Sequence, residues 1–412
     1  MDINKYAVGI DIGTNLIKVV VGSSMTPAED ATSTPTKLTI IGVGQSDTTG
    51  MRKGVIVSQD SVAQALDRAL SDAERMSGYH IDAATVSING SHIVGLSSQG
   101  VIAVANGGAI GADEINRVRE AAEVVQLPPN REILDTTPRN YKLDSQDNIR
   151  DPFGMTGIRL EVDAYMITAL TPHLRNIEKV LDLTQIRANR ILPAGLAAAQ
   201  ASLSDQQREN GVVAVDIGAT TTNMAVYEEG DITHIAVLPI GSANITNDLA
   251  IGLRTDLDIA EQVKIAHAVA APELRRGAEK TINVKVGDRE HAFTTEIIDE
   301  IVEARLSEIF ELVNHELKKI KKFANLPGGV VLSGGGARLR GIADYARSIM
   351  QMNATVAKTP HYSGMVDKVA GPEFTTALGL MAIDSEFAPI QKTQTQVGFW
   401  GLGHLFGRFS QK

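Results

Sequence analysis

The chain has 412 residues, 43% of them hydrophobic and 21% charged, which is the composition of an ordinary globular protein and length enough for two to four domains. It has no cysteine, so disulfides are excluded and a reducing cytoplasm suits it. A formal net charge of −10 argues against wrapping nucleic acid and would repel the body from anionic lipid, so any membrane contact needs a local device. The first expected strand opens so close to Met1 that no room is left for a signal peptide. The longest apolar run, Ile191 to Ala201, is Ala-rich and only about half a membrane span.

The chain opens on Ala7-Val8-Gly9-Ile10-Asp11-Ile12-Gly13-Thr14-Asn15, followed by Ile17-Lys18-Val19-Val20-Val21. This reads as a strand rich in β-branched residues, an acid at its end, a Gly/Thr turn and a second strand. Ser23 to Lys37 reads as a solvent loop, Leu38 to Gly44 as a strand, and Ser61 to Met76 as an amphipathic packing helix. From Thr85 the texture changes to short strands (Thr85–Asn89, Ile93–Gly95, Val101–Val104) and a helix near Ala112–Val125, with Asp113 and Glu114 suiting its N-terminal dipole. Arg131–Asp135, Tyr141–Leu143 and the run Asp151-Pro152-Phe153-Gly154-Met155-Thr156-Gly157-Ile158-Arg159-Leu160-Glu161 complete this block. Val162 to Ala169 is expected to return the chain to the first domain. A helix with Ile177, Val180, Leu181 and Leu183 on its apolar side follows, then the small-residue segment Ile191 to Ala199, which suits close helix approach at a crossover.

At an offset of 205 positions (216 minus 11) the opening motif returns as Val212-Val213-Ala214-Val215-Asp216-Ile217-Gly218-Ala219-Thr220-Thr221-Thr222-Asn223, followed by Met224-Ala225-Val226-Tyr227. One such hairpin is usually only a turn. Two, one in each half, suggest two related domains gripping one phosphate group, with turn N–H groups and hydroxyls converging on the anion and the acids placed for a metal ion. The duplication aligns Lys18 with Asn223. Leu238 to Asp248 opens a helix that ends near Gly252, and Asp258 begins another on which Glu261 and Lys264 share a face. By geometry alone that pair reads as a surface ion pair. A hairpin around Gly287-Asp288 precedes a long helix, Glu296 to Phe323, with Ile297, Ile298, Ile301, Leu306, Ile309, Phe310, Val313, Leu317 and Ile320 expected inside. Gly329 to Leu339 reads as strand, the triple glycine Gly334-Gly335-Gly336, and a helix whose N-terminus with bare backbone forms an anion or adenosine shelf.

The tail differs from all of this. Ala388 to Gln396 is a polar tether; beyond it Phe399, Leu402, Leu405, Phe406 and Phe409 share one helical face, with His404, Arg408 and Gln411 opposite and Trp400, the chain's only tryptophan, among them. The four glycines here each cost a helix about 1 kcal/mol relative to Ala. Burying four or five large side chains in a lipid interface at roughly 1.5–3 kcal/mol apiece outweighs that. The tail is therefore expected to fold in the plane of a membrane surface, and many copies would hold better than one.

The paired hairpins resemble the two phosphate loops of the actin, sugar kinase and heat-shock chaperone ATPase superfamily. The Asp151–Glu161 run and the Leu238–Asp248 segment resemble FtsA, the actin-like bacterial cell-division family. The resemblance implies an α/β, actin-like (ribonuclease H-like) two-domain fold with duplicated βββαβα halves, a nucleotide in the interdomain cleft and a small inserted α/β subdomain. The implied first domain is 1–84, 165–205 and 365–387, with the insert at 85–164. The implied second domain is 206–245 and 302–364 with a subdomain at 246–301, followed by a linker at 388–396 and a membrane-targeting helix at 397–412. It implies ATP and Mg²⁺ as cofactors. Asp11, Gly13, Thr14, Asn15, Lys18, Asp216, Gly218, Ala219, Thr220, Thr221, Glu261, Lys264, Gly334, Gly335 and Gly336 would bind nucleotide, and Asp11 and Asp216 would hold hydrated Mg²⁺. Many members read Asp-Ile-Gly-Gly-Gly-Thr-Thr-Asp in the second loop; here Ala219 and Thr220 replace two glycines and Asn223 the final acid. An amide can orient a water but cannot take its proton, so hydrolysis is expected to be slow or absent. The implied partners are the tail of FtsZ through 246–301, further copies in a filament, late division proteins through the insert, and lipid through Phe399, Trp400, Leu402, Leu405, Phe406, Arg408 and Phe409. The implied location is the cytoplasmic face of the membrane at the division site, as a peripheral protein. Alternatives on the same fold are a PilM-like pilus assembly protein and a sugar kinase.

Overall fold

The computed structural model describes residues 6–24, 38–275, 280–286, 289–358 and 362–387. Of the loop expected at Ser23 to Lys37, Ser23 and Ser24 end a β-strand, and the rest (25–37), the turn Gly287-Asp288, the tether and the tail with its lipid-facing residues lie outside the described residues. So does the N-terminal stretch 1–5.

Three antiparallel strands open the chain, β1 (Tyr6–Ile12), β2 (Leu16–Ser24) and β3 (Leu38–Asp47), followed by the two-residue strands β4 (Met51–Arg52) and β5 (Val55–Ile56), helix α1 (Gln59–Ser77) and β6 (Ala83–Ile88). An inserted block comes next: β7 (Val94–Ala103), α2 (Ala112–Glu123), β8 (Arg131–Leu143), β9 (Gln146–Ile149) and β10 (Arg159–Leu170). The first half closes with α3 (Thr171–Leu183), β11 (Arg187–Pro193), α4 (Ala194–Ser202) and the short α5 (Asp205–Asn210). The second half repeats the plan with β12 (Val212–Ile217), β13 (Thr222–Glu228), β14 (Asp231–Leu238), α6 (Ser242–Leu253) and α7 (Leu257–His267). It continues through β15 (Thr281–Val286), β16 (Arg289–Thr294), α8 (Thr295–Lys319), β17 (Val330–Ser333), α9 (Ile342–Met350), β18 (Ala354–Val356), the edge pair β19 (Ser363–Gly364) and α10 (Thr375–Phe387).

The two large sheets have one topology. The first runs β11-β6-β1-β2-β3-β19 and the second β14-β13-β12-β17-β18. In each, a three-stranded meander is extended from its first strand by two parallel strands. The first strand of each motif is therefore central and covered on both faces, which is why both read as continuous β-branched runs. The closing helices cross over: α4 leaves the first half and packs on β12 and β13, while α10 leaves the second half and packs on β1, β2 and β6. The helices meet where Gly379 faces Ala197; a Cβ on Gly379 would stand 1.8 Å from the Ala197 carbonyl oxygen, so only glycine permits the approach. Asp384, buried on α10, fixes that helix to the first sheet by accepting from Val8 N (2.9 Å), Thr85 Oγ1 (2.7 Å) and Asn189 Nδ2 (2.9 Å).

Several expectations change here. The strand expected to open the insert at Thr85 is β6, which pairs with β1 and β11 in the first sheet; the insert's own sheet, β7-β10-β8-β9, starts only at Val94. The polar Thr85 and Ser87 that mimic a change of texture are buried hydrogen-bonding groups inside that sheet. Val162 to Ala169 does not return the chain to the first domain, because it lies in β10, a central strand of the insert. Ile297 is 42% exposed rather than inside α8. The triple glycine opens a 3₁₀ turn, Gly335–Arg338, and the α-helix starts later at Ile342 behind Gly341.

Candidate functional site

The two hairpins face each other across one cavity of about 870 Å³, within the usual range for ligand pockets. In the first, Gly13 N donates to Leu16 O (3.2 Å); in the second, Gly218 N donates to Thr221 O (2.8 Å). The register matches too, since Asp11 pairs across its ladder with Lys18 and Asp216 with Asn223. Each acid is held from two sides. Asp11 accepts from Ser87 Oγ on β6 (3.0 Å) and lies 3.5 Å from Lys18 Nζ. Asp216 accepts from Ser333 Oγ on β17 (3.2 Å) and from Asn223 Nδ2 (3.1 Å). Burial pushes the Asp216 carboxyl up to about 6, and the Asp11 charge across the cleft pushes the same way; Asn223, Lys18 and Ser333 oppose it. Two carboxylates in one cavity, one of them resisting ionisation, are a donor set that a divalent cation would neutralise.

The loops also touch each other directly. Thr220 Oγ1 donates to Thr14 Oγ1 (2.9 Å), and Asn89 Nδ2 donates to Thr221 Oγ1 (3.1 Å). The triple glycine closes a third side. Gly334 has φ +81°, and a Cβ there would lie 2.5 Å from Ile217 O and 2.7 Å from Asp216 Oδ1, so only glycine lets this turn sit against the second hairpin. Gly334 N donates to Pro372 O (2.9 Å), and Arg338 Nη1 pairs with Glu373 Oε1 (2.9 Å), joining the shelf to the segment that leads into α10.

Of the fifteen residues expected at a nucleotide, the cavity wall holds Asp11, Gly13, Thr14, Asn15, Lys18, Asp216, Gly218, Ala219, Thr221, Glu261, Lys264 and all three glycines. Thr220 is absent from the wall and spends its hydroxyl on Thr14. Glu261 and Lys264 form an ion pair at 2.7 Å, tied to Thr246 Oγ1, and both residues line the cavity. Asn223 is not placed to orient water. It is 1% exposed, does not line the cavity, and supports Asp216 from behind.

Sequence reasoning missed Ser87, Ser333, Asn89, Arg338 and Glu373. The signal for the serines was present: each stands at or next to the last position of a buried strand that runs parallel to a motif strand. No spacing rule points to Asn89 or to the Arg338–Glu373 pair.

A model of the family "Cell division protein FtsA" matches residues 213–379, and one for the "SHS2 domain inserted in FTSA" matches residues 90–168. Cell division protein FtsA of Pseudomonas aeruginosa is 36% identical over 379 residues, covering 92% of this chain and 88% of that protein. The Bacillus subtilis protein of the same name is 36% identical over 394 residues, covering 95% and 86%.

The chain belongs to the FtsA family of cell-division proteins.

The match to the inserted-domain model starts just past β6 and ends within β10, as the sheet topology places the insert. Solved structures with this fold include a chain of the PilM–PilN type IV pilus biogenesis complex (TM-score 0.64, 16% identity, 92% of this chain and 98% of that one). Another is MreB5 of Spiroplasma citri bound to ADP (TM-score 0.55, 13% identity, 93% and 97%). They show that the fold of this chain is actin-like. Among the described residues, no helix is long and apolar enough to cross a membrane.

Proposed function

We propose that this FtsA-family chain binds ATP with Mg²⁺ in the cleft between its two halves and assembles into filaments. On this reading it holds the tail of FtsZ through residues 246–301 and lies on the cytoplasmic face of the membrane at the division site through its C-terminal amphipathic strip. Later division proteins would meet the insert. The observation that carries the nucleotide reading is the pair of duplicated Asp–Gly hairpins meeting across a single cavity. Asp11 and Asp216 would hold the metal, which when bound supplies charge neutralisation at the phosphates. Lys18 points a cation at the same place, and the glycine shelf at Gly334 to Gly336 offers bare backbone to the adenosine.

Hydrolysis is slow or absent on this reading. Residue 223, an acid in many family members, is an amide here; it lies off the cavity wall, committed to Asp216, so no side chain at that position serves as a base. A positioned general base is typically worth about 10²–10⁴ in rate. Phosphate release under saturating Mg·ATP should therefore stay near background; turnover at several per second would refute it.

The membrane half rests on the tail's apolar face and on the multivalency that a filament provides. The deciding experiment is sedimentation with anionic liposomes, with and without Mg·ATP, using the full chain and a version ending at Gln396. The full chain should sediment and ATP should increase its retention, while the shortened chain stays in solution. Equal sedimentation of both would remove the tail from the account.

A further inference from the structure

Asn89 stands directly after β6, at the point where the chain leaves the first sheet for the insert, and its side chain lines the cavity. Its amide reaches across the cleft, Nδ2 donating to Thr221 Oγ1 at 3.1 Å while Oδ1 accepts from Gly90 N at 2.7 Å. Thr221 is the residue whose carbonyl closes the second hairpin, so Asn89 is a first-half side chain gripping the second half's loop.

On its other side the same residue begins a continuous hydrogen-bonded path. The Asn89 carbonyl is bonded to His92 Nε2 (3.1 Å), and His92 Nδ1 accepts from Leu170 N (3.4 Å). Burial and the neighbouring His173 hold His92 down at about 4, so at neutral pH the ring is uncharged and carries one donor and one acceptor, as these two bonds require. The His92 carbonyl accepts from Arg131 Nη2 (2.6 Å), Arg131 Nε donates to Thr168 Oγ1 (3.1 Å), and that hydroxyl donates to Val94 O (3.2 Å). Val94 is the first residue of β7, Arg131 the first of β8, and Thr168 and Leu170 lie at the end of β10. The start of β7 and the end of β10, where the chain enters and leaves the insert, thus meet the start of β8 at one hub. His92 also stacks on His173 of α3, with ring centroids 4.2 Å apart.

We propose that Asn89 is a positioning residue of the phosphate site and that it couples occupancy of that site to the orientation of the inserted subdomain. The proposal rests on the nucleotide reading above. A phosphate oxygen beside the second loop accepts a hydrogen bond from the Thr221 hydroxyl, and the hydroxyl oxygen continues to accept from Asn89. The bonds then run in one direction, amide to hydroxyl to phosphate, and each polarises the next. Occupancy therefore tightens the Asn89–Thr221 link and orders the hub, and through it the root of the insert. By reciprocity, whatever fixes the insert raises nucleotide affinity by the same factor.

The test is hydrogen exchange on the full-length protein with and without saturating Mg·ATP, combined with a nucleotide titration. In the unaltered chain, amides at 92–96, 131–135 and 166–170 should exchange at least about 5-fold more slowly with nucleotide, the lower end of ordinary coupling factors. Asn89→Ala should still bind nucleotide, about 3- to 10-fold more weakly, and lose the protection at all three segments. Asn89→Asp keeps the size and the acceptor for Gly90 N but cannot donate to Thr221, so it should lose protection in the same way even if the alanine variant folds poorly. Retained protection in either variant overturns the proposal. So does an unaltered chain that binds nucleotide without slowing at the hub. An unaltered chain that binds no nucleotide overturns the proposal together with the reading beneath it.

Discussion

The two hairpins at the centre of this molecule share a scaffold and differ in charge. In both, an acid at a strand end takes a serine from the parallel neighbour and a side chain from the residue directly opposite on its own ladder. In the first half that opposite residue is Lys18; in the second it is Asn223. Lys18 lies close enough to lower the pKa of Asp216 as well as pair with Asp11, whereas Asn223 serves Asp216 alone. The two hairpins therefore bring two facing carboxylates and one shared cation to the cleft. Duplication supplies the geometry, and one position across the ladder decides how much charge remains for a metal and a phosphate to meet.

The largest expected effect comes from removing one acid. Asp216→Asn should weaken Mg·ATP binding on the order of 100-fold, the scale of losing one partner from a buried charged set. The apo protein should move the other way. The folded-state pKa of Asp216 is raised to about 6 from 3.8, so the folded chain holds that proton more tightly than the unfolded one. Raising pH through the window from about 4 to 6 therefore costs the folded state stability, and the cost is complete above it. The asparagine variant escapes the cost and should be more stable by on the order of 1–2 kcal/mol at pH 7.5, with the gain vanishing near pH 4. Urea unfolding at both pH values reads this directly. An apo variant no more stable than the parent at pH 7.5 would contradict the facing-carboxylate picture.

A middle-sized effect separates the two opposite residues. Lys18→Ala should lower nucleotide affinity roughly 10-fold or more, since a cation on the cavity wall is lost. Asn223→Ala, removing a side chain away from the wall, should change affinity less than about 3-fold. Asn223→Asp restores the acid expected there, yet places a third carboxylate against Asp216 rather than beside a water in the cavity. It should destabilise the apo protein and leave phosphate release where it was. A rate increase of 10-fold or more in that variant would mean that residue 223 does reach the nucleotide.

Much of this was legible in the sequence because the duplication is carried by local chemistry. The Asp-x-Gly hairpins, the buried strands leading to them and the amphipathic helix over Ser61–Met76 depend on near neighbours, and their periodicity shows it. What was not legible depends on partners far along the chain. Thr85 and Ser87 look like the start of a polar strand, but their hydroxyls are spoken for by Asp384 and Asp11, nearly 300 and 76 positions away. Asn89 joins Thr221 across 132 positions, and Arg338 meets Glu373 across 35. Ile297 is expected inside yet is 42% exposed, because the elements that cover the first turn of α8 lie on the side of Thr295, Ile298 and Asp299, which are buried. Periodicity reports which face a residue lies on, not whether another element arrives to cover it.

The smallest effect is the most specific test of whether the halves meet as described. Thr220 donates one hydrogen bond to Thr14 across the cleft, between equivalent turns of the two hairpins. Thr14→Val or Thr220→Val removes a hydroxyl with little change of shape, so each should cost about 0.5–1.5 kcal/mol. If the pair acts as a unit, the double variant should cost no more than either single one, giving a coupling energy near 1 kcal/mol in a double-mutant cycle on unfolding. Additive costs would show two independent hydroxyls, each satisfied by water, and hairpins held apart in solution. The same cycle repeated with saturating nucleotide sharpens the comparison. A ligand that bridges the loops takes over the work of the hydroxyl pair, so the coupling energy should shrink when the site is filled.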